Sequence, residues 1–193
     1  MTTEKKQRLA PSVRVSSFVI AAAVVLADQI SKIAIAKTLG VTGNSVTVIP
    51  GVLDFEYTLN SGATAGMLSQ HRWVFMAAST VVIIALSVYL ALGRASNRLT
   101  AVTLGVILGG GIGNMIDRVV NGTVVDFIHV TCLPFFPFTT VFNVADIGVS
   151  VGCVLLLICV IAGEFRDRRS GGAGSSDKAA APAVTTPEDT DGE

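Results

Sequence analysis

The chain has 193 residues, of which 51% are hydrophobic and only 15% charged, and its mean hydropathy is +0.65. Soluble domains carry roughly 25% charge, so this composition excludes an ordinary water-soluble fold, a disordered chain, a collagen-like fibre and a disulfide-stapled secreted module. Lys+Arg and Asp+Glu are equal at 14 each, so no net basic charge points to nucleic acid, and the class is integral membrane.

A transmembrane helix needs about 20 mostly apolar residues to cross about 30 Å of hydrocarbon. Residues 1–16 read as a basic cytoplasmic segment, and a first span is expected over about 17–36. The outer segment of about 37–72 is too long for a simple connection. Within it, Val46-Thr-Val-Ile49 and Val52-Leu-Asp-Phe-Glu-Tyr57 are β-branched or alternating and are broken by Pro50-Gly51. They read as a strand pair lying at the membrane surface. Further spans are expected over about 73–92, 99–116 and 141–163. The third contains Gly109-Gly110-Gly111, tolerable in lipid where neighbouring helices pack closely. Residues 164–193 are expected to form a disordered cytoplasmic tail, rich in Gly, Ser, Ala, Pro, Thr and acid from Ser170 onward.

Lys5, Lys6, Arg8 and Arg14 precede the first span, Arg94 and Arg98 separate the second and third, and Arg166, Arg168 and Arg169 follow the fourth. The positive-inside rule then puts both termini in the cytoplasm. The stretch ending Val25-Leu26-Ala27 also looks like a secretory signal with a cleavage site. That reading is the weaker one, because apolar character resumes past Asp28 and three more spans follow. Cys153 and Cys159 lie in an apolar run, where they act as small hydrophobes.

Ionisable groups inside spans are costly, so each is a functional hypothesis. Asp117 ends the third span, about 27 Å from Leu99, and Asp146 lies about 7 Å below the outer start of the fourth. The two carboxylates are therefore expected at one level near the outer surface. Each stands in the same phrase, Asn114-Met-Ile-Asp117 and Asn143-Val-Ala-Asp146, with Asn and Asp on one helical face. An Asn amide can orient a carboxylate or a substrate backbone. Two carboxyls within about 3–5 Å cannot both ionise cheaply, so one holds a proton while the other acts as base. Such a pair activates water and protonates a leaving amine without a metal or other cofactor. The plainer reading is that both are buried structural groups pairing with Arg118 or with Asn side chains.

Asp28 and Lys32 stand in the favourable order for a helical ion pair and read first as a structural clasp. Asp126 in the second outer loop reads as structural or rim-forming rather than catalytic, and Gly62 as a turn or a close approach to substrate. Two histidines without a metal-ligand pattern, and no G-x-S-x-G, leave zinc and serine hydrolase chemistry unsupplied.

Five blocks in order, Asp28-Gln-Ile-Ser-Lys32, Asn60-Ser-Gly-Ala63, Gly109-Gly-Gly-Ile-Gly-Asn-Met-Ile-Asp-Arg118, Gly122-Thr-Val-Val-Asp-Phe127 and Phe142-Asn-Val-Ala-Asp146, carry a resemblance over about 17–163. The chain resembles the lipoprotein signal peptidases (signal peptidase II), bacterial membrane aspartyl peptidases. The resemblance implies four transmembrane helices with a small extracytoplasmic β-cradle, in the bacterial cell membrane. It implies Asp117 and Asp146 as the catalytic dyad, with Asp28, Lys32, Asn60, Gly62, Asn114, Arg118, Asn143 and Ala145 in supporting or substrate-binding roles. The implied partners are diacylglyceryl-modified prolipoproteins, cut just before the lipidated Cys, and membrane lipid. A monomer sensitive to globomycin is expected, with no metal, cofactor or nucleic acid. Two features depart from the family: Thr64-Ala65 replaces the usual Ala-Phe after the Asn60 block, and the polar tail has no counterpart. The competing function classes are a four-helix carrier with Asp relay groups and a non-catalytic lipoprotein-binding scaffold.

Overall fold

A computed structural model describes residues 8–40, 45–61, 72–132 and 141–173. In chain order the elements are α1 (Pro11–Thr38), β1 (Val46–Ile49), β2 (Leu53–Asn60), α2 (Arg72–Ala91), α3 (Arg98–Val120), β3 (Val124–Val130), β4 (Val141–Phe142) and α4 (Val144–Ala173). The protein is thus mainly helical with one small antiparallel sheet. Residues up to Leu157 form one compact unit, and those from Ile158 form a second.

Among the described residues, three helical stretches are long and apolar enough to cross a membrane: Pro11–Thr38, Arg98–Val120 and Val144–Glu164. The shortest has 21 residues, which at ~1.5 Å per residue covers the ~30 Å hydrocarbon core. In α2 the apolar stretch is the shorter Met76–Ala91. Large apolar side chains point outward, among them Val19, Leu26 and Ile30 on α1 and Val81, Ile84 and Val88 on α2. Such a surface belongs in lipid rather than water.

Two helices outrun their expected limits. Pro11 starts α1 from an N1/N2 position, where its missing N–H costs nothing and its φ is already helical. At the other end, α4 continues to Ala173, so residues 164–173 are helix rather than disordered tail. Glu164 to Arg169 are mostly good helix formers, and an apolar helix that runs into such residues has no reason to stop. Residues 174–193 lie outside the described part of the chain.

Helix α3 is the axis of the first unit. Asn97 caps its start, the side chain accepting from Thr100 N–H at 2.9 Å. Gly109 lets α1 approach: a Cβ there would sit 2.5 Å from the Ala21 carbonyl oxygen. Ala21, Leu90, Ala95, Ala101, Leu104 and Leu108 form the buried apolar cluster around this contact.

The sheet is larger than the expected strand pair. Its order is β1-β2-β3-β4, all antiparallel. The segment between α3 and α4 supplies β3 and β4, because Val124-Val-Asp-Phe-Ile-His-Val130 is itself β-branched and alternating. Phe55 and Phe127 pack edge to face across β2 and β3, ring centroids 5.9 Å apart. The start of β3, Val124 to Phe127, is buried, whereas β1 is exposed along its length. That burial carries Asp126 down toward the helix ends.

Candidate active site

Five segments converge where α3 ends and α4 begins. They supply Asp28, Gln29 and Lys32 from α1, Asn60 from the end of β2, and Asn114, Asp117 and Arg118 from α3. Asp126 comes from β3, and Asn143, Ala145 and Asp146 from the start of α4.

Lys32 organises the inner part. Its ammonium lies 2.7 Å from Asp28 Oδ2 and 3.0 Å from Asp117 Oδ2, with the lysine side chain only 3% exposed. A buried cation needs such company, since desolvating it unpaired costs several kcal/mol. It also donates to Asn114 Oδ1 at 3.0 Å. An ammonium only donates, so Asn114 must turn its oxygen inward and its NH2 outward. That NH2 meets Asp146 Oδ1 at 2.7 Å.

Asn143 organises the outer part. Its Oδ1 accepts Asp146 N–H at 2.9 Å, and Asp146 Oδ2 accepts Asn143 N–H at 3.2 Å. This reciprocal arrangement is a capping box at the start of α4. It explains why Asn and Asp stand three apart there. The Asn143 amide group also donates to Asn114 Oδ1 at 3.1 Å and to Asp126 Oδ1 at 2.6 Å. Asp126 Oδ2 accepts from Asn60 Nδ2 at 2.8 Å. Burial holds the Asp126 carboxyl above its ordinary value of 3.8, and nearby Asp146 pushes it the same way, against the hydrogen bonds from Asn60 and Asn143.

Asp146 and Arg118 stand at a cavity of about 400 Å³ between α2, α3 and α4. Arg118 also donates to the Asn114 carbonyl at 3.3 Å. Away from these polar groups the cavity wall turns apolar, with Val82, Ile83, Leu86 and Ile107.

The expected Asp28–Lys32 pair forms, and Ala145 is fully buried with its N–H donated to Asp28 Oδ1 at 2.9 Å. Gly62, together with Thr64 and Ala65, lies outside the described residues. Asp117, expected beside Asp146, gives its carboxylate instead to Lys32, to Gln29 Nε2 at 3.0 Å and to Val125 N–H at 3.2 Å. Its link to Asp146 runs through Lys32 and Asn114. The carboxylate that shares a partner with Asp146 is Asp126, through Asn143. The two Asn-x-x-Asp phrases are alike in spacing but do different work: one caps a helix, the other lies within one. Gln29 escaped the reading of single residues. The signal that marks it is its position three residues before Lys32, on the same helical face.

The family model described as signal peptidase (SPase) II matches residues 20–162. The chain belongs to this family. Lipoprotein signal peptidases of Symbiobacterium thermophilum, Geobacillus kaustophilus and Bacillus subtilis are similar to it. The first is 37% identical over 145 residues, 75% of this chain and 93% of the relative. The second is 41% identical over 140 residues, covering 72% and 88%. The third is 39% identical over 142 residues, covering 73% and 90%. Two solved bacterial membrane enzymes share the fold. The 1.9 Å in meso structure has a TM-score of 0.69 at 32% identity, over 81% of this chain and 97% of that one. The 2.3 Å in meso structure has a TM-score of 0.68 at 28% identity, over 94% and 100%. As a signal peptidase II family member with apolar helices, the chain is a membrane protein of a protease family. The match takes in every site residue described above, from Asp28 to Asp146.

Proposed function

We propose that this chain is a membrane aspartyl endopeptidase that removes the signal peptide from diacylglyceryl-modified prolipoproteins, cutting just before the lipidated Cys. In this reading the reacting carboxyls are Asp126 and Asp146, and Asp117 is structural. One observation carries the choice: Asn143 hydrogen-bonds both to the Asp126 carboxylate and to Asp146, whereas Asp117 is held by Lys32. The substrate class is supported by the relatives named lipoprotein signal peptidase.

The chemistry follows from the pair. Asp126, whose buried carboxyl favours the protonated form, holds the proton. Asp146, at the start of α4, acts as the base and takes a proton from a water that attacks the scissile carbonyl. Asp126 then gives its proton to the departing amine, the nitrogen of the lipidated Cys. The C–N bond breaks and the acid product retains the water oxygen. Arg118 and Asn114, at the polar end of the cavity, are placed to hold substrate carbonyls, and the apolar wall suits the hydrophobic part of the signal peptide. The diacylglyceryl chains stay in lipid and convert binding into orientation. Four spans with both termini cytoplasmic and the site near the outer face complete the proposal, together with sensitivity to globomycin.

The test is a gel-shift cleavage assay with purified protein and a diacylglyceryl-modified prolipoprotein, beside its unlipidated form. Wild type should cut only the lipidated substrate, Asp126→Asn and Asp146→Asn should leave it whole, and Asp117→Asn should retain measurable turnover. Turnover by Asp126→Asn, with none by Asp117→Asn, would return the dyad to Asp117 and Asp146.

A further inference from the structure

Gln29 makes contacts that neither capping nor lipid exposure explains. Its Nε2 lies 3.2 Å from Asp28 Oδ2, 3.0 Å from Asp117 Oδ1 and 3.2 Å from the Gly113 carbonyl oxygen. Together with Lys32 it therefore joins two carboxylates from different helices. A Cβ on Gly113 would fall 2.6 Å from Asp28 Oδ2, so glycine is what leaves room for this junction.

Each joined carboxylate also grips a backbone amide. Asp28 Oδ1 accepts Ala145 N–H at 2.9 Å, and Asp117 Oδ2 accepts Val125 N–H at 3.2 Å. Ala145 immediately precedes Asp146, and Val125 immediately precedes Asp126. The same device thus occurs twice, on α4 and on β3. The two elements that carry the proposed acid and base are held to one rigid yoke.

We infer that Gln29 is a positioning residue, which with Lys32 ties Asp28 to Asp117 so that their grip on Ala145 and Val125 sets the gap between Asp146 and Asp126. The inference rests on the proposed Asp126–Asp146 pair. Gln29 touches neither carboxyl of that pair, so its loss should disturb the reacting geometry rather than substrate affinity. A site loosened by a fraction of an ångström turns over more slowly even when it binds as before.

The experiment uses the full chain in detergent with lipidated prolipoprotein. Gln29→Met keeps the length and helix propensity of the side chain but has no N–H donor. It should lower kcat about 10-fold with KM within about twofold, and should speed amide hydrogen exchange selectively at Val125 and Ala145. Asp117→Asn is the second variant: it should speed exchange at Val125 while leaving Ala145 protected. Unchanged kcat in folded Gln29→Met overturns the inference, as does a loss confined to KM or a uniform rise in exchange along the chain. Wild-type protein that leaves the lipidated substrate whole overturns the peptidase reading instead. The exchange at Val125 and Ala145 then still decides whether Gln29 holds the two amides.

Discussion

The side chain of Asn143 donates to the Asp126 carboxylate across 2.6 Å while its own oxygen caps α4 at Asp146 N–H. One side chain thus serves both a helix start and a carboxylate pair. Serine is an equally good N-cap but is too short to reach Asp126. Asn143→Ser should therefore melt within about 1 kcal/mol of wild type yet lose most of its turnover, whereas Asn143→Ala should lose both. Thermal melts alongside initial rates separate the two roles. Full activity in Asn143→Ser would remove Asn143 from the site.

Lys32 is the single buried cation between Asp28 and Asp117 among the described salt bridges. Lys32→Met leaves two buried carboxylates facing each other uncompensated. The expected destabilisation is roughly 3–5 kcal/mol, the usual consequence of removing one partner of a buried pair. Lys32→Met combined with Asp117→Asn should recover part of the loss, since one of the stranded charges is then gone. Denaturant melts of the four proteins in one detergent measure the coupling.

Burial raises the Asp126 carboxyl above 3.8, which fixes the sign of its pH dependence. In the proposed mechanism it is the proton donor and serves below its folded value, so cleavage should decline as pH rises through that value and not at the ordinary one. The same shift bears on stability. The contribution is present in full below pH 3.8 and is lost as pH rises through the raised value, because the folded state then holds a buried charge. Asp126→Asn should remove this pH-dependent part of the melting curve. Parallel pH slopes for the two proteins would show that Asp126 ionises as it does in the unfolded chain.

The contact of α3 with α1 depends on missing side chains. At Gly109 an added Cβ would lie 2.5 Å from the Ala21 carbonyl oxygen and 2.8 Å from Val24 Cβ. At Gly111 it would meet only Ile83 side-chain atoms, at 3.5 Å and beyond. Gly109→Ala should therefore cost about 1–3 kcal/mol by forcing the helices apart. Gly111→Ala should be neutral or stabilising by up to ~1 kcal/mol through helix propensity. Equal melting temperatures for the two variants would contradict the packing.

The amino-acid sequence alone determined the membrane class, the approximate helices, the Asp28–Lys32 pair and several of the polar residues that meet where α3 ends. Apolar runs, charge gaps and i,i+3 or i,i+4 spacings are local properties, and local physics is enough to read them. The strands between α3 and α4 were also within reach, because β3 is visibly β-branched, but the pairing of β3 with β2 was not. Which donors each carboxylate meets was decided only by the tertiary structure. Asp117 and Asp146 look equivalent as Asn-x-x-Asp, yet Lys32 claims the first and an α4 capping box holds the second. Asp126, which reads as a rim residue in one dimension, is linked to the start of α4 by the β2–β3 pairing and by Asn143. A carboxylate's role follows from its burial and from which donors surround it. Those donors come here from α1, β2, α3, β3 and the start of α4, and no spacing along the chain records that they meet.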